Sequence, residues 1–253
     1  MGLMQLNEMG WNKIETAIEV IRQNATEPYY VTNSGGKDST VLRDLVLRSE
    51  VAADFHYNVS PIDPPEVYQR LKTECPETKW EYQCKNFWGI VDKKGLPTRT
   101  RRWCCEKIKE GGGSGRIVLT GIRWAESARR SQRCMIEPDR KDKSKRYLHP
   151  IICWSDAEVW EYIHLRHLTF LTLYAKGWTR VGCIGCPMSS NQKRELANYP
   201  KIAYLWKTHG AIFFNTHEDN ETHKLLGTPE NFWNWWLSGK SVKNYLNEQQ
   251  SKF

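Results

Sequence analysis

The sequence predicts an α/β fold: a doubly wound, mostly parallel sheet followed by a helical C-terminal region. Three observations carry that expectation. Tyr29-Tyr30-Val31-Thr32 is β-branched and aromatic, and it is followed by Ser34-Gly35-Gly36 and then by Val41, Leu42, Leu45 and Val46 at helical spacing. A second strand pattern over 53–59, with Phe55, Tyr57 and Val59 on one face, leads through Pro61, Pro64 and Pro65 into a second helical pattern. A third apolar run, Ile117-Val118-Leu119-Thr120, ends in Gly121-Ile122-Arg123. Strand and helix in alternation read as a parallel sheet with covering helices.

In chain order, Trp11, Ile14, Ala17, Ile18 and Ile21 predict a first helix, broken between Asn24 and Pro28. The strand at 29–32 and a helix to about Ser49 follow. Asp63 is placed to cap the next helix, with Pro65 near its first position and Val67, Tyr68 and Leu71 along it. Residues 75–103 scatter their aromatics and predict no more than a further strand and a short helix. Gly95 to Thr98 reads as a loop, Arg99, Arg101 and Arg102 follow at once, and Cys104-Cys105 runs into a helix over 106–110. Gly111 to Gly115 reads as a hinge or tight connection. Residues 137–146 are charged and lack apolar content, which predicts a mobile or ligand-ordered loop. His149 to Ile152 reads as a strand. Ser155, with Glu158 three residues on, predicts a capping box for a helix through Val159, Trp160 and Ile163. The division expected is an α/β domain over 1–190 that holds the cysteines, and a helical region over 191–253.

Composition bounds the function. The chain has 253 residues, 40% of them hydrophobic, enough for a packed core. No apolar run reaches bilayer length, and residues 1–9 lack a basic stretch followed by an apolar one, so a cytoplasmic protein without a membrane segment is expected. The formal charge of +8 points to anionic partners such as nucleotides or nucleic acid.

Ser34-Gly35-Gly36-Lys37-Asp38-Ser39-Thr40 is the first candidate site. Strand, glycine turn and helix N-terminus together favour a bound anion, because backbone N–H groups converge there and the helix dipole is positive. Ser34, Ser39 and Thr40 add hydroxyls, Lys37 adds a cation, and Asp38 is a candidate ligand for phosphate-bound Mg²⁺. The spacing is not that of a Walker A loop.

The cysteines are the second. Cys183-Ile184-Gly185-Cys186 is a knuckle that turns two sulfurs toward one centre, and Cys104-Cys105 is an adjacent pair. An iron–sulfur cubane accepts adjacent ligands more readily than zinc does, although zinc, and a redox disulfide between Cys183 and Cys186, stay open. Cys75, Cys84, Cys134 and Cys153 read as structural.

The loop, the Cys-Cys pair, Thr120-Gly121-Ile122-Arg123 and the Cys-x-x-Cys, in this order over roughly 28–190, resemble the phosphoadenosine phosphosulfate reductase family of the adenine-nucleotide α-hydrolase (PP-loop) superfamily. The resemblance implies an ATP or adenylyl-nucleotide site and a [4Fe-4S] cluster beside it. It implies that Cys104, Cys105, Cys183 and Cys186 ligate the cluster and that Ser34, Gly35, Gly36, Asp38 and Ser39 bind phosphate. Gly121 and Arg123 become a second nucleotide contact, and Arg129 and Arg130 resemble the arginines that meet the phosphate or sulfate end. Catalytic roles then fall to Lys37, Asp38 and Arg123. The family's sulfonucleotide reductases use a cysteine in a C-terminal tail, and here none follows Cys186. The chain therefore looks more like the iron–sulfur branch that resembles the ATP pyrophosphatases of DNA phosphorothioation. The partners that this implies are nucleic acid and a sulfur-donor protein such as a cysteine desulfurase. Reduction of a sulfonucleotide to sulfite and a non-catalytic nucleotide-sensing subunit are the alternatives.

Overall fold

Residues 2–5, 10 and 12–251 are described by a computed structural model. The chain divides into two units, each discontinuous in sequence: residues 1–58, 65–81 and 112–181 in the first, and 59–64, 82–111 and 182–253 in the second.

The first unit is the α/β one. Its elements are α1 (Lys13–Gln23), β1 (Tyr29–Thr32), α2 (Lys37–Ser49), β2 (Ala53–Asn58), α3 (Pro65–Glu74) and β3 (Lys79–Glu81). The second unit contributes α4 (Phe87–Lys94) and α5 (Trp103–Ile108) before the chain returns to the first for β4 (Ile117–Leu119), β5 (Ile136–Pro138), β6 (Arg146–Leu148), α6 (Asp156–Leu165) and α7 (Thr172–Ala175). The sheet order is β3-β2-β1-β4-β6-β5, parallel except for β5 against β6. Chain order reverses between β1 and β4, and open α/β sheets bind ligands at the carboxyl ends of the strands that flank such a reversal. Both the glycine loop after β1 and Gly121-Ile122-Arg123 after β4 leave the sheet there.

The predicted doubly wound, mostly parallel sheet is therefore present. The α1 face carries Ile14, Ala17, Ile18 and Ile21 into the core with Val41, Leu42, Leu45 and Val46 of α2. Trp11, expected on the first helix, lies outside the described residues, as do most of residues 1–9. The Ser155 capping box forms as predicted, and Lys13 Nζ bonds Glu158 at 2.7 Å.

Three local expectations are corrected. His149 to Ile152 is a turn, not a strand; β6 ends at Leu148. Pro150 has no N–H for a ladder, and the Ile152 N–H donates back to the His149 carbonyl at 3.1 Å. The charged stretch 137–146 is a hairpin between β5 and β6. Asp139 organises it, accepting from the Lys141 and Asp142 amides at 2.7 and 2.8 Å and from Tyr147 Oη at 2.8 Å. Those contacts hold the Asp139 carboxyl down at about 2 against the pull of burial. The helix beyond the paired cysteines begins at Trp103, so Cys104 and Cys105 lie in its first turn. Buried Trp103, whose Nε1 donates to the Gly95 carbonyl at 3.2 Å, anchors that start.

The second unit completes its helices with α8 (Gln192–Asn198), α9 (Pro200–Thr216), α10 (Glu221–Leu226), α11 (Pro229–Ser238) and α12 (Val242–Gln250). The helical C-terminal region is thus as expected, and its core also takes in residues 82–111. Trp206 and Phe213 of α9 pack with Phe87 and Val91 of α4 and with Phe232 and Trp236 of α11.

Candidate functional site: the glycine loop and the cysteine pocket

The loop after β1 is built by backbone geometry first. Gly35 has φ +71, a conformation that side-chain-bearing residues rarely adopt, and an added Cβ would press on Val67 at 3.3 Å. Gly36 is the N-cap of α2 and no side chain caps the helix, so the first-turn amides are left to other partners. The Ser39 and Thr40 hydroxyls both donate to the Gly36 carbonyl at 2.9 Å, and Ser34 Oγ lies 3.2 Å from Ser39 Oγ. Gly121 is required by a close approach: its Cβ would stand 2.9 Å from the Asp38 carbonyl oxygen. Only glycine lets the turn after β4 come this near α2.

Four charges meet here. Arg123, 1% exposed, donates from Nε to Asp38 at 2.7 Å and from Nη2 to Asp156 at 3.0 Å, and its Nη1 bonds the Trp154 carbonyl. Lys37, 6% exposed, reaches Asp38 at 3.2 Å and Asp156 at 3.0 Å. Two buried cations alone would be costly, and two carboxylates answer them. The Asp156 side chain is 61% exposed. Burial pulls its carboxyl upward, but Lys37 and Arg123 outweigh that and hold it below the usual range. The cluster thus presents carboxylate oxygen outward over a cationic base.

Sequence reasoning brought Lys37, Asp38 and Arg123 to this site and missed three more residues. Asp156 is the first residue of α6, where an acid reads as ordinary helix-start chemistry. Tyr174 Oη accepts the Lys37 N–H at 3.1 Å and so occupies one of the amides an anion would use. Burial pushes its hydroxyl up to about 12, so it stays protonated and can donate in turn. Arg70 fixes the loop from α3, donating from Nη1 to the Gly35 carbonyl and to Thr40 Oγ1, both at 2.9 Å. These partners lie from 30 to 137 positions away in sequence. The predicted arginines sit apart from this set of contacts: Arg130 pairs with Glu126, and Arg129 is exposed.

The second unit holds the cysteine site. Cys104, Cys105, Cys183 and Cys186 line one cavity of about 20 Å³ together with Ile62, Ile108, Lys109 and Trp206. The sequence placed these four together and the fold does so too. The knuckle is held through its backbone: the Ile184 N–H donates to the Ile62 carbonyl at 2.6 Å, the Gly185 N–H to Glu195 at 3.2 Å, and Trp206 Nε1 to the Ile184 carbonyl at 3.0 Å. Gly185 has φ +75, and a Cβ there would meet Leu196 at 2.9 Å.

The thiols are not alike. Cys104 is raised well above a normal thiol by its hydrogen bond to Cys105 and by burial. That same bond, with Arg102 Nη2 3.3 Å from the Cys105 sulfur, lowers Cys105 to about 5. Burial pushes Cys183 up to about 12 despite Lys109 beside it. Burial also works against the Lys109 charge, but Asp63 and Cys183 more than offset it. All eight cysteines are free. Among the described residues no group of three or more His, Cys, Asp or Glu side chains is drawn in closely enough for a single metal ion.

With both sites in view, likeness to known proteins decides the family. The phosphoadenosine phosphosulfate reductase domain matches residues 28–189. The chain belongs to the phosphoadenosine phosphosulfate reductase family. It is similar to two uncharacterized proteins of Methanocaldococcus jannaschii. One is 29% identical over 72% of this chain and 41% of its own length, the other 32% over 68% and 45%. The chain spans less than half the length of these two relatives. It is also similar to an adenosine 5′-phosphosulfate reductase of Staphylococcus epidermidis, at 26% identity over 72% of this chain and 81% of that one. Among solved structures, a phosphoadenylyl-sulfate reductase of Candida auris superposes with TM-score 0.51 at 18% identity, covering 72% of this chain and 98% of that one. That likeness shows the shared fold. Among the described residues no helix is long and apolar enough to cross a membrane.

Proposed function

We propose that this protein is an ATP pyrophosphatase that cleaves ATP between the α and β phosphates and serves sulfur transfer to a nucleic acid, with DNA phosphorothioation as the specific reading. The observation that carries the first half is the four-charge cluster on the glycine loop. In the reaction an acceptor oxygen attacks the α-phosphorus, and the bond to the bridging oxygen breaks. Pyrophosphate leaves with that electron pair. Negative charge grows on the leaving group, and Lys37 and Arg123, already fixed by Asp38 and Asp156, meet it without reorganising. Ser34 and the Gly36 amide would meet the phosphates at the helix N-terminus, while the Gly35 amide, bonded to Asn33 Oδ1 at 3.3 Å, and the Ser39 and Thr40 hydroxyls, bonded to the Gly36 carbonyl, hold the loop in shape and would reach phosphate only by exchanging those bonds. Gly121 keeps the second contact loop close, and Arg129 and Arg130 are assigned to the far end of the nucleotide or its acceptor. Exposed Asp156, with Asp38 beside it, would offer the hard oxygen donors that Mg²⁺ takes, and the ion would neutralise phosphate charge.

Cys104, Cys105, Cys183 and Cys186 would hold a [4Fe-4S] cluster. It is the donor set rather than the volume that fits: four thiols on one cavity with apolar walls, two of them pushed upward by burial or by each other. A cubane asks for one thiolate at each of four irons, a wider arrangement than a single ion needs. Bound there, the cluster supplies iron to which sulfur can attach. The surrounding residues do the rest: Lys109 and Arg102 balance thiolate charge, and Trp206 with Ile62 and Ile108 keeps water out. A cysteine desulfurase is the kind of partner that would deliver sulfur, and the cytoplasm is the compartment the reading assumes.

One observation favours a second reading. Relatives named adenosine 5′-phosphosulfate reductase match at 26–27% identity over 81–85% of their length. Sulfite formation needs a cysteine that attacks sulfur, and residues 187–253 contain none.

The test is anaerobic purification, iron analysis, and pyrophosphate release from Mg-ATP with and without duplex DNA. Brown protein that releases pyrophosphate is expected. Colourless protein carrying zinc would remove the cluster, and no ATP binding or turnover under any of these conditions would remove the pyrophosphatase. Thiol-dependent sulfite release with a thiosulfonate adduct on a cysteine would establish the second reading instead.

A further inference from the structure

The positive charge of this chain is distributed unevenly. The second unit carries 16 of the 37 Lys and Arg residues but only 10 of the 29 Asp and Glu, so most of the formal +8 belongs to it. Both units hold cations paired with a carboxylate, Lys207, Lys224 and Lys240 of the second among them. In the first unit Arg43, Arg70, Arg116, Arg123, Arg133 and Arg166 each sit against an Asp or Glu. In the second unit Arg99, Arg101, Arg102 and Lys107 are exposed, and among the described residues none of them is in an ion pair with a carboxylate.

These cations are tied to the cysteine turns. Arg99 Nε donates to the carbonyl of Pro187, the residue after Cys186, at 3.0 Å. Arg102 Nη2 lies 3.3 Å from the Cys105 sulfur, and Lys107 is on the same helix as that cysteine. A guanidinium has five N–H donors, and each of these two exposed arginines is seen to spend one on a turn that lines the pocket. The four cations are spaced along residues 99–107 and all are exposed. A row of that kind binds a single small anion weakly and a polyanion well, since each phosphate neutralised releases counterions.

We infer that the segment 99–107 is a docking surface for the phosphodiester backbone of a nucleic acid, which it holds at the mouth of the four-cysteine pocket. The inference rests on the sulfur-transfer reading above and adds to it where the acceptor lies. Arg99 and Arg102 bind phosphate bidentately and are positioned by the pocket they border. Arg101 and Lys107 supply contacts that leave the cysteines untouched. The surface reads backbone, not sequence, so it orients the acceptor without choosing it.

The test uses the full chain, purified with its metal, and a fluorescein-labelled DNA duplex of about 20 base pairs, with anisotropy followed from about 50 to 300 mM NaCl. Arg101→Ser combined with Lys107→Ser is expected to weaken binding about tenfold or more and to flatten the slope of log affinity against log salt by about two, one for each lost phosphate contact. Lys193→Ser combined with Lys201→Ser removes the same charge from exposed positions of α8 and α9 and is expected to leave the slope near the wild-type value. Thermal melting of both variants checks that each is folded. Wild-type affinity and slope in the Arg101/Lys107 variant would overturn the assignment. So would a wild type that does not bind duplex at low salt, or displacement of the duplex by poly-glutamate as readily as by unlabelled DNA, which would mark an acidic polypeptide as the partner. Pyrophosphate release by the wild type separates the two levels: without it the proposed function fails, and with it only the surface is at stake.

Discussion

The two sites treat charge in opposite ways. At the glycine loop two buried cations are matched by two carboxylates, so the site is close to neutral before anything binds. At the cysteine pocket Cys104 and Cys183 are held away from their charged form while the Cys105 thiolate is favoured, and among the described residues the exposed cations Arg99, Arg101, Arg102 and Lys107 are in no ion pair with a carboxylate. A site that must meet a phosphate chain arriving with its own Mg²⁺ gains from prearranged, balanced charge, because little has to reorganise as charge develops. A pocket that must collect thiolates around a metal, beside a polyanion, gains from standing positive charge instead. The same chain therefore keeps one site preorganised and leaves the other to be completed by what it binds.

The largest expected effect breaks the second half of that comparison. Cys183→Ser removes a sulfur from the knuckle and leaves its backbone contacts in place. Iron content and broad visible absorption should be lost, while the first unit, probed by nucleotide binding, should be kept. Retained brown colour would show that the four cysteines do not act as one ligand set.

Next in size is Arg123→Ala. It takes from Asp38 and from exposed Asp156 one of their two cations, and since Lys37 still reaches both, the loss of stability should stay below the about 3–5 kcal/mol of a fully buried pair that is broken. Pyrophosphate release should fall by about 10²–10³, the usual loss for one charge-stabilising donor. Arg123→Lys should recover folding better than activity, because a lysine lacks the rigid fork whose three nitrogens bond Asp38, the Trp154 carbonyl and Asp156 at once. Equal recovery of both would mean that Arg123 only balances charge.

How much of this was legible in sequence follows from how local each signal is. The glycine loop, the Ser155 capping box and the Cys-x-x-Cys knuckle are written in four to seven consecutive residues, and the structure has all three. The four-cysteine set was found because cysteine is scarce enough for its spacing to stand out. Asp156, Tyr174 and Arg70 were not found, since each is an ordinary residue of an ordinary helix and acquires meaning only from a partner brought near by the sheet. The 137–146 segment misled for a related reason. Its charges look like a solvated loop until Asp139 is seen bonding two amides and Tyr147. The strand expected at His149 failed because two buried isoleucines read the same in a turn as in a ladder, and Pro150 was the one dissenting signal.

A pH experiment sharpens the contrast from the first unit. His149 is fully buried; its Nδ1 lies 2.7 Å from Thr120 Oγ1, and Nε2 has no hydrogen-bond partner among the described residues. Burial, reinforced by Arg133 and Arg130 and opposed by Glu137, holds its pKa down to about 4; Tyr147 stacks alongside. An unfolded histidine takes a proton near 6.5. Between about pH 6.5 and 4 the unfolded chain thus binds a proton that the native one does not. Stability should decline over that window by about 3 kcal/mol from this group; below it the His149 contribution is constant, and further loss comes from carboxylates held low in the native chain, Asp139 among them. His149→Gln should flatten the curve of unfolding free energy against pH there. An unchanged slope would mean that other groups account for the acid sensitivity.

The smallest expected effect concerns Tyr174, and it bears most directly on whether the loop site is ready before its ligand arrives. Its hydroxyl takes the Lys37 N–H, which is one of the donors a phosphate would want. Two roles are open to such a group. As a plug it competes with the nucleotide, so Tyr174→Phe frees the amide and should tighten ATP binding by a few-fold. As a relay it turns its own proton toward the phosphate, so the same change should raise KM by about fivefold to tenfold, about 1 kcal/mol for one neutral hydrogen bond, with kcat little altered. Balanced charge around Lys37 and Arg123 favours the relay. A site already neutral needs donors more than it needs a guard, and a hydroxyl kept protonated up to about 12 is such a donor at any working pH. Tighter binding in the phenylalanine variant would reverse that choice and make the loop a site that is closed until the nucleotide displaces Tyr174.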